Sequence, residues 1–437
     1  MIDDENIKIL KQRYAKGEIT KRQFEQMKTD LSEGNISEAT EPKEASNSND
    51  SATNRFNISK FGIPIAIIIV LALLFFFFFS NNQNQQTYTT STPQSQQYTT
   101  TYNPSSISSQ QTTTPTTTIA PQVLGQVYCI AGDSGTSGYN INAVYNTNLT
   151  SSGLGAWKSD VSYPLSVDYS SCVQYNNQVY CVGGEQAVGS QYQNTNATYY
   201  SSISGNSTSN WVYTTQYPVP IWMHSCVTSN GYIYCIGGSS TAWTTNNNSN
   251  YYAPLTSYGI GQWQKTTSYT SFAMLESCVA YNSYIYCVGG YSGTLGPSSI
   301  TSQTFYAPLT PSGIGQWQTS SNYPSKIVRP ACVQNNSYIY CVGGSNSNGF
   351  TEQAYYAPIS ASGIGQWQTT TSYPTSIGEL SGCVAKNNYI YCVGGGGDSE
   401  SPVNYAYYAS LSSSGIGQWQ SATSYPVQDG VQSCVTN

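Results

Sequence analysis

The chain has 437 residues, and only 8% of them are Asp, Glu, Lys or Arg, against the ~25% usual in soluble proteins. A formal net charge of -6 excludes the basic field of a nucleic-acid binder, and 39 tyrosines beside 38 glycines exclude a long helical protein rich in Ala, Glu, Lys and Leu. The charges are also unevenly spread: residues 1–60 hold 21 of the 36, and no Lys or Arg lies between Lys60 and Lys158.

Residues 4–32 are predicted to form two short helices. Ile7, Leu10 and Tyr14 recur at spacings of three and four, and Gly17 interrupts them; Thr20 and Gln23 then make a capping box for a second helix with Phe24, Met27 and Leu31 on one face. The stretch Leu10 to Leu31 resembles the short SHOCT module at Gly17, Ile19, Thr20 and Phe24. That resemblance implies a small interaction or self-association unit without catalytic residues. Basic and acidic side chains nearly balance here, so charge gives no reason to expect RNA or DNA. The hairpin is assigned to residues 1–34 and a charged polar linker to 35–60.

Phe61 to Phe79, FGIPIAIIIVLALLFFFFF, contains no charged residue. As a helix these 19 residues would span roughly 28 Å, close to the ~30 Å hydrocarbon core of a bilayer. We read the run as one transmembrane helix. A cleaved signal peptide would begin near Met1, and a core helix would be followed by a packed partner rather than a polar tract. Lys43, Arg55 and Lys60 precede the run and no base follows until Lys158, which places the N-terminus in the cytoplasm and the remainder outside a cell membrane crossed once. Residues 80–120, rich in Ser, Thr, Gln, Asn, Tyr and Pro, cannot bury enough apolar area to fold and are predicted to form a stalk reaching roughly 35 Å. Its Ser and Thr invite O-glycosylation.

Residues 121–437 repeat. Trp157, Trp211, Trp263, Trp317, Trp367 and Trp419 stand 50 to 54 residues apart, each followed six residues later by a Tyr. A period near fifty with short apolar runs predicts an all-β propeller of six four-stranded blades. In each unit two strands flank an Asn-containing turn, a third carries a motif such as Tyr306-Ala307-Pro308-Leu309, and a fourth begins at a pair such as Gln316-Trp317. The turn pairs Asn176-Asn177, Asn230-Gly231, Asn282-Ser283, Asn336-Ser337 and Asn387-Asn388 tolerate the positive φ that a two-residue hairpin needs. Counting outward from them sets Cys172 opposite Cys181, Cys226 opposite Cys235, Cys278 opposite Cys287, Cys332 opposite Cys341 and Cys383 opposite Cys392. These are non-hydrogen-bonded pairs, where Cα atoms approach to about 4.5 Å, within disulfide range. Joining Asn437 to Leu124 recreates the same spacing, so Cys434 should pair with Cys129 and close the ring. Twelve cysteines in facing pairs fit an oxidising compartment, and without His or carboxylates beside them they do not make a metal site.

The Tyr-Cys-Val-Gly-Gly motif, an aromatic pair such as Tyr355-Tyr356 and then Trp367 resemble the kelch repeat across all six units, with Ala131-Gly132 as the one degenerate glycine pair. The Ser-x-Gly-x-Gly-x-Trp turn also resembles the sialidase Asp-box, without its Asp. The galactose-oxidase and sialidase relatives that such a fold implies use several His ligands or an arginine cluster. This propeller has one His, His224, and one Arg, Arg329.

Function is expected on one face. The links from strand two to three and from strand four to the next blade vary in length and content, whereas the opposite turns are nearly identical, and 11 of the 15 charged residues beyond Lys60 fall in the variable links. Each strand-four-to-one link carries an ionisable residue before the Cys: Asp168, His224, Glu276, Arg329, Glu379 and Asp429. With strand one innermost, these six are expected to ring the mouth of the central channel as a ligand-binding site, with Trp222 and Trp243 as exposed accessory aromatics. The resulting expectation is extracellular recognition of a glycan or protein partner, without catalysis, cofactor or metal. A structural role in the cell envelope and a hydrolase pairing Glu276 with Glu379 or Asp429 are the alternatives. Sequons stand at Asn148, Asn196, Asn206, Asn247 and Asn335.

Overall fold

The computed structural model describes residues 121–437 apart from 136–139, 189–190, 241–248, 269–273, 293–296, 379–381 and 398–400. The predicted helical hairpin, linker, apolar run Phe61–Phe79 and stalk lie outside the described residues, as do Trp243, Glu379 and Asn247. Among the described residues no helix is long and apolar enough to cross a membrane.

Six antiparallel sheets form the blades of a closed propeller. In the fourth, Ser277–Tyr281, Tyr284–Val288 and Thr304–Thr310 lie side by side. The fourth strand, expected to start at Gln316-Trp317, is instead split into Gly313–Ile314 and Gln318–Thr319, both paired with the third. Trp317 sits between the two pieces because its indole N–H donates to the Thr267 carbonyl of the preceding blade, 3.2 Å away. Every blade repeats this bond, at 3.0 to 3.3 Å, including Trp157 to Thr423 across the joint between first and last blades.

The hairpins take the predicted register. Asn176-Asn177, Asn230-Gly231, Asn282-Ser283 and Asn387-Asn388 all have φ between 47° and 81°, the region Asn and Gly enter at least cost. Tyr175 faces Gln178 and Cys172 faces Cys181, and all five local pairs form disulfides with Cα atoms 4.0 to 4.1 Å apart. Ser433–Thr436 pairs with Val123–Asp133 so that Cys434 meets Cys129, and the sixth disulfide closes a sequence separation of 305. Lys386, which ends the strand Cys383–Lys386, and Asn387 of the hairpin turn that follows donate to the carbonyls of Asn437 and Leu124 and hold both ends of the ring.

The core lies between blades. Val182 and Tyr180 of the second blade pack with Ile233, Cys235 and Ala253 of the third, and equivalent clusters recur around the ring. The second-strand tyrosines span these joints: Tyr180, Tyr234, Tyr286, Tyr340 and Tyr391 each donate to a carbonyl in the strand-three-to-four turn of the following blade. The glycine pair has a related task. A Cβ on Gly289 would stand 2.4 Å from the Ile327 carbonyl oxygen, so the next blade's link approaches only because that side chain is missing. The innermost strands touch one another in a full circle and line the channel.

Candidate functional site

In the five links from strand four whose approach to the inner cysteine is described, the residue three before that cysteine lies at the channel with a left-handed backbone. Tyr169, Met223, Leu275, Arg329 and Val431 occupy this position with φ between 47° and 58°. None is glycine, and each such residue costs roughly 1–2 kcal/mol. Part of the strain is offset blade to blade: Met223 N–H donates to the Tyr169 carbonyl, Leu275 to Met223 and Arg329 to Leu275. One residue before the cysteine, Ser433, Ser171, Ser225 and Ser277 accept from the amide of the cysteine in the following blade. These are the serines of the repeated Ser-Cys pair.

The ring surrounds a cavity of about 200 Å³. Met223, Leu275 and Val431 give it an apolar side and Tyr169 and Arg329 a polar one, while His224 and Glu276 also line it but keep their ring nitrogens and carboxyl oxygens buried. Arg329 lies over the Tyr169 ring, 5.3 Å from its centroid. Blades two and five are opposite in a ring of six, so this cation–π contact reaches across the mouth.

The six ionisable residues expected in one ring do not share a register. Counted back from the inner cysteine they stand at five residues (Asp429), four (Asp168, Glu379), three (Arg329) and two (His224, Glu276). The structure brings His224, Glu276 and Arg329 to the cavity wall, sets Asp168 and Asp429 behind it, and leaves Glu379 outside the described residues. Sequence reasoning missed Tyr169, Met223, Leu275 and Val431 because it followed charge. Aligning the links on their cysteines would have found them. Trp222 corrects a further expectation: it is 1% exposed, packed edge-on against Tyr169 in a cluster with Met223 and Met274, so it is core and not contact surface.

Burial dominates the electrostatics. His224 stacks on Tyr217 with neither ring nitrogen partnered, and desolvation holds its pKa down at about 3. Glu276, with both carboxyl oxygens unpartnered, is pushed up to about 8 by the same cause. Asp168 rises to about 8 through burial and the nearby charges of Glu185 and Asp133, and Glu185 rises to about 7 through burial. Asp429 has no exposed surface and is raised well above the usual carboxylate range by burial and by Asp133 and Asp168. At neutral pH the His224 imidazole is therefore uncharged and Glu276 mostly protonated, both buried beside the cavity rather than open to it. A protonated carboxyl can donate a hydrogen bond as well as accept one.

Among the described residues, one set of potential metal-ligating atoms converges: His224, Cys226 and Cys235. Both sulfurs are consumed in the disulfide, and disulfide sulfur does not replace a thiolate. Glu276 and Asp429 belong to links entering blades four and one, on opposite sides of the ring. Asp429 has carboxylate neighbours in Asp133 and Asp168 instead.

Comparison with known proteins supports the fold and one short module. The family model "SHOCT: Short C-terminal domain" matches residues 5–31, the segment carrying Gly17, Ile19, Thr20 and Phe24. A solved propeller described as "Structure of YjhT" superposes with a TM-score of 0.55 at 13% identity, covering 69% of this chain and 97% of that one. At that identity the likeness speaks for the fold alone. No curated protein matches the chain.

Proposed function

We propose that the protein is a membrane-anchored recognition protein whose kelch-type propeller stands outside the cell and binds a glycan or protein partner at the channel mouth. One observation carries this reading: a single strained backbone position, repeated around the ring, presents Tyr, Met, Leu, Arg and Val to a common cavity of about 200 Å³. Repeated backbone with varied side chains is how a scaffold carries a binding surface, and strain held at non-glycine residues concentrates at such sites. Leu124 and Asn437 lie at the hairpin-turn face, so the chain enters and leaves opposite the mouth. Phe61–Phe79 serves as the single membrane span with the N-terminus cytoplasmic, and the SHOCT-like hairpin as a site of self-association that couples clustering to the cell interior. On this reading the propeller binds without turnover.

The test uses the full chain in membrane scaffolds, probed on glycan arrays and against intact cells. Arg329→Ala and Tyr169→Ala should each weaken binding about tenfold or more with little change in melting temperature. The reading fails if the folded protein binds no surface component, or if binding survives both substitutions.

A further inference from the structure

We propose that Asn206 is the N-glycosylated residue of the propeller, carrying an oligosaccharide on the face opposite the mouth. The inference rests on the extracellular placement proposed above and on the one turn that breaks the sixfold pattern. In five blades the strand-three-to-four turn ends in a glycine with φ between 105° and 114°: Gly153, Gly259, Gly313, Gly363 and Gly415. A Cβ on any of these would press on a Tyr ring of the preceding blade, at 2.8 to 3.1 Å. In the second blade the turn is Ser204-Gly205-Asn206-Ser207, with Ser in the glycine's place.

The neighbouring blade has adjusted to this departure. The other blades dock the turn through a hydroxyl, as when Thr214 accepts from Ile260 N–H, or Thr370 from Ile416 N–H. Here Asp160 takes that position and accepts from both Ser207 Oγ and Thr208 N–H. Tyr128, whose counterparts donate to the following blade's turn, donates to Gln126 instead. The turn that has left the common packing creates the sequon Asn206-Ser207-Thr208, with Asn206 exposed and open space around Gly205.

The other described sequons are less suited. Asn148 lies within Asn140–Thr150 and accepts from Gln126, Asn196 is half-buried, and the Asn335 amide nitrogen, where a glycan would attach, donates to Asn388. Thr208 is buried in the folded turn, so the transferase reads the sequon before the blade closes and the folded state has only to tolerate the product. In the reaction Asn206 Nδ2 forms a C–N bond to the anomeric carbon of an oligosaccharide carried on a polyprenyl diphosphate. The C–O bond to the diphosphate breaks, the diphosphate leaves with the electron pair, and one amide proton passes to a base of the transferase.

The full chain, made in a secretory host that modifies Asn-x-Ser/Thr sequons, should be analysed by intact glycopeptide mass spectrometry. In parallel, intact cells should be labelled at the propeller lysines with a membrane-impermeant amine reagent. The expected result is a glycan on Asn206, lost in Asn206→Gln, with Asn148, Asn196 and Asn335 bare. A labelled propeller with unmodified Asn206, or with glycan on Asn148 or Asn335 instead, overturns the site assignment. An unlabelled propeller overturns the extracellular placement and the glycan together.

Discussion

At the outer seams a Trp of one blade meets a Tyr of the preceding blade edge-on, with ring centroids 4.8 to 5.0 Å apart, and donates its N–H to a carbonyl there. At the mouth the same sixfold backbone carries Tyr169, Met223, Leu275, Arg329 and Val431, and the ionisable groups behind them are buried with several oxygens and nitrogens unpartnered. The seam repeats its chemistry because each copy performs the same task, burying aromatic area between blades. The mouth repeats only its main chain, so its side chains are free to differ. The seam carries a cost of its own, since the hydroxyls of Tyr163, Tyr217, Tyr373 and Tyr425 are buried without a partner, but its buried polar groups are neutral phenols where those at the mouth are ionisable.

The contrast is broken most severely by opening the ring. In the chain-entropy estimate, removing Cys129–Cys434, with its separation of 305, costs about 5.7 kcal/mol, whereas a local pair such as Cys278–Cys287, with its separation of 9, costs about 2.7. Denaturant unfolding of paired Cys→Ser variants measures both, and equal losses would refute closure as the dominant clamp. Next comes a seam. Trp367→Ala removes an edge contact to Tyr323 and a bond to Ser321 and should cost about 3–5 kcal/mol, where Tyr169→Ala at the mouth should cost much less.

Titration sharpens the comparison. Glu276, Asp168 and Glu185 have folded pKa values of about 8, 8 and 7, raised above their ordinary values of 4.5, 3.8 and 4.5, so the folded state binds more protons through that interval. Stability therefore falls as pH rises from about 4 to 8. His224 acts oppositely: its pKa is lowered from 6.5 to about 3, so its contribution is lost as pH falls through that window. Glu276→Gln should flatten the alkaline limb of a profile of unfolding free energy against pH by a few kcal/mol, and His224→Asn the acid limb. Unchanged profiles in both variants would show these groups to be solvated. The smallest effect is expected at Ser277→Ala, which removes the acceptor for Cys332 N–H and should cost about 1 kcal/mol. The chain has its own control there, since Ala331 occupies the equivalent place in the next blade.

Local chemistry made much of this legible in the amino-acid order. The Asn turns prescribe positive φ, period-two alternation then fixes which residues face each other, and the six disulfides and the shared first blade follow by counting. Blade number came from the Trp period for the same reason, because each repeat buries the same face against its neighbour. What the mouth contains could not be counted in that way. Asp168 and His224 both look like charged loop residues before a cysteine, yet the fold buries the first near Glu185 and Asp133 and stacks the second on Tyr217. Trp222 reads as an exposed anchor until Tyr169, Met223 and Met274 are packed around it. Sequence determined the fold because backbone hydrogen bonding and strand alternation act over a few residues. Tertiary structure alone decided the site, because burial and register at the channel depend on segments some fifty residues apart meeting around a closed ring.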